Sequence, residues 1–463
     1  MEINTVTLLC ILVFVLSIDY SLALISLQAY WIDTGGSHDL SGLVFGLYDG
    51  PTIIITPILA WLIDNRDLKY KTIFSSCIIA NIIGNVIYAT AYAANSWEMI
   101  LIGRMVAGIG ASCVPLVMCY VADRVPTEEQ QMVVGYIKYI AALSRSTGPI
   151  FGSIFSAFIE TESIVNMYTL VGWIPVVMCI ALLVLIYVWT EDTQLTSETW
   201  NISISELNVA RSYFWPFWVI GGLSTFIYWF YVGSAFIIGT HYYHVVGSDE
   251  ELGKLYYAGV GGYAMAFCVF FCFKKEVTSM QGIFILICFM STVYLYLVQQ
   301  NAMYYVAVGS TTFIYGLIIP SVSGLNNLLA KKLKTLLKGY FNITIIFLTI
   351  CQAFARFAGP TLFTLIIHQN NDSDCDVDGE NYETDGCKLT NYQTSTITIN
   401  TIVCVVMLSS YYFFVKNFNK APDSSLTTPI TQMQGSPINH DLPTQENKTP
   451  QQLTQENQLQ SPV

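Results

Sequence analysis

The sequence predicts an all-α integral membrane protein with twelve transmembrane helices in two pseudo-symmetric six-helix halves. Three observations support this fold class. Of the 463 residues, 54% are hydrophobic and only 11% are charged, whereas about 25% of the residues in a soluble domain are charged. The apolar residues form long runs, and a short pattern in the first half recurs in the second. A soluble globule cannot bury so much apolar surface, because it needs a polar exterior.

Twelve segments meet the requirement for crossing a membrane, which is about 20 mostly apolar residues at a rise of about 1.5 Å each. The first segment begins almost at Met1. Neither a preceding basic residue nor a following cleavage site is present, so we expect a retained helix rather than a signal peptide. In chain order the segments are 5–28, 43–63, 72–93, 97–121, 132–158, 165–189, 213–239, 255–273, 281–299, 303–329, 339–367 and 395–415.

The basic residues predict the orientation of these helices. With the N-terminus in the cytoplasm, the outer loops carry only Lys254 and Lys388, whereas the inner loops and tail carry fourteen basic residues. This positive-inside bias places both termini in the cytoplasm. The inner residues are Arg66, Lys69, Lys71, Arg124, Arg211, Lys274, Lys275, Lys331, Lys332, Lys334, Lys338, Lys416, Lys420 and Lys448.

The longest inner connection divides the helices six and six. We therefore expect a first half at residues 1–189, a cytoplasmic linker at 190–212 and a second half at 213–416. Residues 417–463 are rich in Pro, Thr, Gln and Ser and show no hydrophobic periodicity, which predicts a disordered cytoplasmic tail.

The fifth and eleventh segments share a motif. Residues 142–149 read ALSRSTGP and residues 353–360 read AFARFAGP, so Arg-x-x-Gly-Pro recurs at an offset of 211 residues. The pairs Gly148-Pro149 and Gly359-Pro360 are expected to bend these helices and to let a neighbouring backbone approach. A chance Gly-Pro match is the alternative, but an arginine at the same repeat position favours two homologous halves.

Several motifs resemble the major facilitator superfamily. Residues 103–111 (GRMVAGIGA) resemble its Arg-x-x-x-Gly-x-Gly motif in helix four, residues 120–126 (YVADRVP) its helix-four exit, and residues 148–152 (GPIFG) its helix-five motif. The loop motif after helix two is only partly kept at residues 60–71. The resemblance implies the major facilitator fold.

Within that superfamily, the sequence most resembles the lysosomal transporters linked to neuronal ceroid lipofuscinosis and their vacuolar SPX-fused relatives. This resemblance rests on residues 103–111, 165–169 and 355–360, and the sequence shows no SPX domain. It implies an endolysosomal or vacuolar membrane, with the plasma membrane as the alternative, and transport of a small anion or metabolite.

Ionisable residues inside the predicted helices are candidates for transport or coupling, because each costs about 2.5–3.5 kcal/mol on insertion scales. Arginine offers a fixed fork to an anion, and an acid at depth suits proton coupling, which we expect at Asp19. The structural alternative is an ion pair of Asp19 or Asp49 with Arg104, or arginines that satisfy carbonyls freed by proline. Lys138 is expected to extend to the cytoplasm. The candidates are Asp19, Asp49, Arg104, Arg145 and Arg356.

The outer loop at 368–394 carries an acidic run, a glycosylation sequon at Asn371 and two cysteines. We expect a disulfide between Cys375 and Cys387, because the outer face is oxidising. Asp374, Asp376, Asp378 and Asp385 follow the spacing of a calcium loop, but flanking amphipathic helices are lacking, and a solvated acidic loop is favoured. The pair His241 and His244 supplies too few ligands for a metal site.

The favoured function is a secondary transporter that moves a small anionic solute by alternating access. A channel-like anion (chloride) conductance and a non-transporting sensor or scaffold are the alternatives. The expected partners are a small-molecule or ion substrate and the lipid bilayer; a monomer is expected, although the sequence does not fix the oligomeric state. The sequence shows no enzyme motif, cofactor motif, metal cluster or basic nucleic-acid patch. The nine Trp and 29 Tyr are expected to fill the core and form interfacial belts.

Overall fold

The protein is helical in every part that the computed structural model describes. The described residues are 3–24, 26–37, 40–66, 68–125, 127–158, 165–189, 204–231, 249–272, 301–332, 341–371, 398–399, 401–413 and 415–416. Five of the described helical stretches are long and apolar enough to cross a membrane, and they are Thr5–Leu22, Gly42–Ile63, Tyr70–Ala94, Trp97–Val121 and Met167–Val188. The predicted ninth segment, 281–299, lies outside the described residues. The total of twelve spans therefore stays a prediction.

Nine helices make up the described part of the first half. They are α1 (Ile3–Leu22), α2 (Leu27–Asp33), α3 (Ser41–Gly46), α4 (Gly50–Arg66), α5 (Tyr70–Ala94), α6 (Trp97–Ala111), α7 (Cys113–Arg124), α8 (Thr127–Phe158) and α9 (Met167–Trp189). The described part of the second half contains α10 (Ile204–Tyr231), α11 (Asp249–Cys272), α12 (Asn301–Lys332), α13 (Phe341–Asn371) and α14 (Thr401–Phe413).

Three predicted spans are interrupted in the structure. The first ends at Leu22 and resumes at Leu27, the second is broken between Gly46 and Gly50, and the fourth is broken at Ser112. The segments predicted at 43–63 and 97–121 agree with the candidate spans Gly42–Ile63 and Trp97–Val121, but each consists of two helices rather than one. The first candidate span ends at Leu22 and is therefore shorter than the predicted segment 5–28. Proline explains the last two breaks, because Pro51 and Pro115 lack the N–H that would bond the carbonyl four residues earlier. Helix α10 begins at Ile204, inside the segment that is predicted as the linker.

The first half packs around α1, which lies against α8 and α9, while α5 packs on α6 and α9. Its main core cluster consists of buried aliphatic and aromatic residues from α1, α4, α5, α7, α8 and α9. In the second half, α10 packs on α13 and α11 packs on α12. Two groups of contacts join the halves, because α13 lies against α3, α4 and α7, and α8 lies against α11 and α12.

Candidate functional site

A cavity lies between the two halves, and side chains from both of them line it. From the first half, α1, α3, α4, α6, α7 and α8 contribute, and from the second half α10, α11, α12 and α13 contribute. The charged lining residues are Asp49, Lys138, Arg145 and Arg356. The cavity wall therefore carries three cations and one carboxylate among the described residues.

Lys138 and Arg145 share one face of α8. They are seven residues apart, which is about two helical turns or about 10 Å along the axis. Both are half-buried, and among the described residues neither is paired with a carboxylate. The Arg145 Nε is buried without a hydrogen-bond partner. Lys138 was expected to extend to the cytoplasm, but the structure places it in the cavity wall.

Arg356 has a carboxylate partner from the other half. Its Nε donates to Asp49 Oδ1 at 2.7 Å, and both side chains are buried, with exposures of 9% and 6%. Asp49 is positioned by the break between α3 and α4, where its carbonyl accepts from the Thr52 hydroxyl at 2.6 Å. Arg145 and Arg356 thus line one cavity, as the repeat predicts, but within the described part of the chain only Arg356 is neutralised by an ion pair.

Asp19 and Arg104 lie behind the cavity wall rather than in it. Both are 1% exposed. Asp19 Oδ2 accepts from the Tyr48 hydroxyl at 2.9 Å and from Asn81 Nδ2 at 2.8 Å, while its Oδ1 has no hydrogen-bond partner. The Arg104 guanidinium lies 4.7 Å from the centre of the Tyr48 ring, and Arg104 Nη2 donates to the Tyr20 carbonyl at 3.3 Å. Because Tyr20 and Tyr48 line the cavity, Asp19 and Arg104 contact the cavity wall on the side that faces away from the cavity.

The two Gly-Pro motifs are equivalent in their packing. An added Cβ at Gly148 would lie 2.0 Å from Ser21 Oγ and 2.8 Å from Leu22 N, at the end of α1. An added Cβ at Gly359 would lie 3.1 Å from Phe230 N, on α10. The glycines therefore allow α8 to approach α1 and α13 to approach α10, and both α8 and α13 continue through their prolines, Pro149 and Pro360.

Aromatic residues of the cavity wall are the functional candidates that the sequence analysis missed. Tyr20, Tyr228, Trp229, Tyr263 and Tyr315 form one buried cluster with Tyr48, and all of them line the cavity. The sequence analysis assigned the tyrosines to core and belts, because no pattern in the sequence marks which face of these apolar helices is turned towards a cavity.

Of the remaining predicted sites, Asn371 is the last residue of α13. Cys375, Cys387, the acidic run and the pair His241 and His244 lie outside the described residues. The described residues contain no group of three or more His, Cys, Asp or Glu side chains that could hold a metal ion. The lining of the cavity is suited to binding a small anion, since its charges sum to a positive excess and its free cations need a counter-charge.

Comparisons with known proteins agree with this architecture. A model of the Major Facilitator Superfamily matches residues 9–360. An uncharacterised MFS-type transporter of Schizosaccharomyces pombe is 31% identical over 190 residues, which are 38% of this chain and 37% of that protein. An SPX domain-containing membrane protein of Oryza sativa subsp. indica is 27% identical over 189 residues, which are 40% of this chain and 26% of that protein. The chain thus matches well under half of either relative's length.

Two solved structures are similar over almost the whole chain. The human organic anion transporter MFSD10 (TETRAN) superposes with a TM-score of 0.63 at 12% identity, covering 89% of this chain and 98% of that one. A bacterial homologue of the human lysosomal transporter Spinster, in an inward-facing and unoccupied conformation, gives a TM-score of 0.62 at 15% identity, covering 90% and 99%. At these identities the likeness establishes the fold alone.

Proposed function

Because the chain belongs to the Major Facilitator Superfamily, we propose that it is a secondary transporter that carries a small anionic solute by alternating access. The observation that carries this proposal is the unpaired Arg145 in a cavity between the halves, accompanied by Lys138. A cationic side chain in a cavity wall within the membrane costs free energy when it has no counter-charge. A bound anion supplies that partner, and arginine binds carboxylate, sulfonate or phosphate groups with two parallel hydrogen bonds.

Alternating access is supported by the composition of the cavity wall. Both halves contribute lining residues, and the halves meet along α3 and α4 with α13, and along α8 with α11. A rocking motion of one half against the other would expose the same residues first to one side of the membrane and then to the other.

Proton coupling at Asp19 is part of the proposal. Asp19 is a buried carboxylate with one oxygen free of hydrogen bonds, and its other oxygen contacts Tyr48 of the cavity wall. A proton bound there would be one hydrogen bond away from Tyr48, which lines the cavity. Asp49 is less suited to this role, because Arg356 holds it as an ion pair.

The proposed location is an endolysosomal or vacuolar membrane with both termini in the cytoplasm. The positive-inside bias supports the orientation. The location is supported by the family resemblance and by a structural neighbour that is a bacterial homologue of a human lysosomal transporter. Fluorescence microscopy of the tagged protein with an endolysosomal marker tests it, and exclusive plasma-membrane signal would contradict it.

Flux through reconstituted proteoliposomes tests the function. A panel of chloride, inorganic phosphate and organic anions is offered under a pH gradient and under a voltage. A transporter gives saturable uptake and counterflow of at least one anion, and Arg145→Gln weakens it. A conductance that follows voltage without counterflow would identify a channel, and absence of flux for every anion would identify a sensor or scaffold.

A further inference from the structure

Aromatic side chains from both halves form one wall of the cavity. The rings of Tyr228 and Tyr315 are stacked, with centroids 4.0 Å apart and planes 8° from parallel. Tyr263 packs its ring at a steep angle to both, with centroids 6.2 and 6.3 Å away. Trp229 continues the wall and packs edge to face against Tyr228 and Tyr20, with ring centroids 5.5 Å apart in each pair. All five residues are at least nine-tenths buried, and all line the cavity.

Hydrogen-bond donors accompany this wall without partners of their own. The Trp229 Nε1, the Gln352 Nε2, the Tyr20 hydroxyl and the Arg145 Nε are buried and make no hydrogen bond. The side chains of Trp229, Gln352 and Tyr20 are 5%, 3% and 2% exposed. A buried donor without an acceptor costs free energy, and an indole or guanidinium nitrogen can only donate. These four donors lack acceptors, which an oxyanion would supply.

Arg145 lies close to the aromatic wall, so the unpartnered donors and the aromatic rings belong to the same site. Ala142 lies three residues before Arg145 on the same face of α8 and packs against the aromatic cluster. Arg145 and the stacked tyrosines therefore border the same part of the cavity. A solute that contacts both needs an anionic group at one end and a flat, apolar body at the other.

We propose that the transported solute is an organic anion with an aromatic or conjugated planar body, whose oxyanion group contacts Arg145 and whose body packs on the Tyr228–Tyr315 wall. This inference rests on the proposed transport function. Chloride and inorganic phosphate have no apolar surface that could pack on this wall. Aromatic pairs gain free energy beyond their area of burial, so a planar ring should be preferred over a saturated ring of equal size.

Matched sulfonates test this proposal, since they stay charged at every working pH and leak little across lipid. The probes are benzenesulfonate, cyclohexanesulfonate and methanesulfonate, with phosphate and chloride beside them. Dissociation constants are measured on the purified full chain by quenching of tryptophan fluorescence and by displacement of radiolabelled benzenesulfonate, and counterflow is measured in proteoliposomes. We expect benzenesulfonate to bind about five-fold more tightly than cyclohexanesulfonate, and methanesulfonate to bind most weakly of the three.

Substitutions at Tyr315 test whether the aromatic wall causes the preference for benzenesulfonate. Tyr315→Leu should reduce the preference for benzenesulfonate over cyclohexanesulfonate to less than about two-fold, whereas Tyr315→Phe, which keeps the ring, should retain it. Tyr412→Leu makes the same change at an exposed position of α14, and it should leave the preference as in the wild type.

The outcomes separate this inference from the function on which it rests. Counterflow of phosphate, chloride or methanesulfonate with equal or weaker binding of benzenesulfonate would overturn the planar-anion inference and leave the transporter proposal standing. Absence of counterflow for every anion would overturn both. Equal binding of the planar and saturated rings by the wild-type protein would overturn the inference even if Tyr315→Leu fails to fold.

Discussion

Arg145 and Arg356 occupy equivalent positions in the two halves but have different neighbours. The Asp49 carboxylate neutralises Arg356 at 2.7 Å, whereas Arg145 has an Nε without a partner. Replacement of one partner of a buried ion pair leaves an uncompensated charge, while replacement of an unpaired cation does not. The two arginines should therefore respond differently to the same substitution, although the sequence motif around them is the same.

The first prediction compares Arg145→Gln with Arg356→Gln. Arg145→Gln should weaken anion binding about ten- to hundred-fold and change the melting temperature little, since no described partner loses a contact. Arg356→Gln should destabilise the protein by about 3–5 kcal/mol, because Asp49 stays buried and charged. Melting temperature and anion affinity are measured on both purified variants.

The double variant Asp49→Asn/Arg356→Gln is the control for that comparison. It removes both charges, so it should recover most of the stability that Arg356→Gln loses. If Arg145→Gln binds the anion as tightly as the wild type, Arg145 is not a ligand. If Arg356→Gln is as stable as the wild type, the ion pair has no structural role.

The second prediction concerns Asp19. Asp19→Asn keeps the shape of the side chain and removes the ionisable group, so flux driven by a pH gradient should be lost while counterflow is largely retained. Tyr48→Phe is the matched variant, because it removes only the hydroxyl that joins Asp19 to the cavity wall. Both fluxes are measured in the same proteoliposomes. Undiminished pH-driven flux in Asp19→Asn would mean that Asp19 is structural.

Charged residues of the site could be predicted from the sequence, but its aromatic residues could not. An ionisable residue in a membrane helix is rare, and Asp49, Arg145 and Arg356 of the cavity wall stood out for that reason. The same rule also selected Asp19 and Arg104, which lie one layer deeper. Lys138 could have been recognised, since its seven-residue spacing from Arg145 places both on one face of α8. Tyrosine is common throughout the chain, so Tyr228 and Tyr315 were indistinguishable from core residues.

The repeat predicted from the Gly-Pro motifs corresponds to a packing relation between helices. Gly148 of α8 lies against the end of α1, and Gly359 of α13 lies against α10. The contact at Gly148 is the tighter of the two. Beside it, the Ser21 Oγ also donates a hydrogen bond to the Ser144 carbonyl at 3.1 Å. Pro51 and Pro115 in the sequence could have indicated the helix breaks that precede them. Hydropathy does not register a proline inside an apolar run, so it predicts one continuous segment.

The third prediction compares Gly148→Ala with Gly359→Ala. The Cβ at position 148 would lie 2.0 Å from Ser21 Oγ and 2.8 Å from a backbone nitrogen, so α1 or α8 must shift. Overpacking of this kind costs about 1–3 kcal/mol. At position 359 the nearest atom is 3.1 Å away, and a shift of a few tenths of an ångström is sufficient. Gly148→Ala should therefore lower the melting temperature clearly more than Gly359→Ala, and equal effects would contradict the packing difference.

At the scale of the whole molecule, the helical fold and the family predicted from the sequence are confirmed, whereas the number of spans and their orientation remain predictions. Hydropathy predicts spans well because backbone groups in lipid must be satisfied within a helix. It does not predict how the two halves meet. The contacts of Asp49 with Arg356 and of α8 with α11 depend on residues far apart in the chain, and the sequence offered no signal for their pairing.

The fourth prediction tests the orientation. A tag inserted at Lys388 and a tag after Lys420 should lie on opposite sides of the membrane, because an odd number of spans, segment 395–415 alone, is predicted between them. Antibody accessibility in intact and permeabilised vesicles measures this. Protection of both tags on the same side would refute the twelve-helix arrangement.

The last prediction tests whether the halves must separate for transport. The Thr361 hydroxyl of α13 lies 3.4 Å from the carbonyl oxygen of Gly42 in α3, so this contact joins the halves. In the double variant Gly42→Cys/Thr361→Cys, oxidation should form a disulfide that keeps these two helices together. A rocking transporter should then lose at least about nine-tenths of its counterflow and regain it on reduction, since alternating access requires this contact to open.

A protease site inserted at residue 197 verifies the cross-link. After cleavage at this site, the two halves of the cross-linked protein should migrate as one band on a non-reducing gel. Each single cysteine variant, treated with the same oxidant, controls for folding and for the native cysteines. Cross-linked protein that still conducts anions at the full rate would contradict alternating access and favour the channel, because a channel needs no separation of the halves.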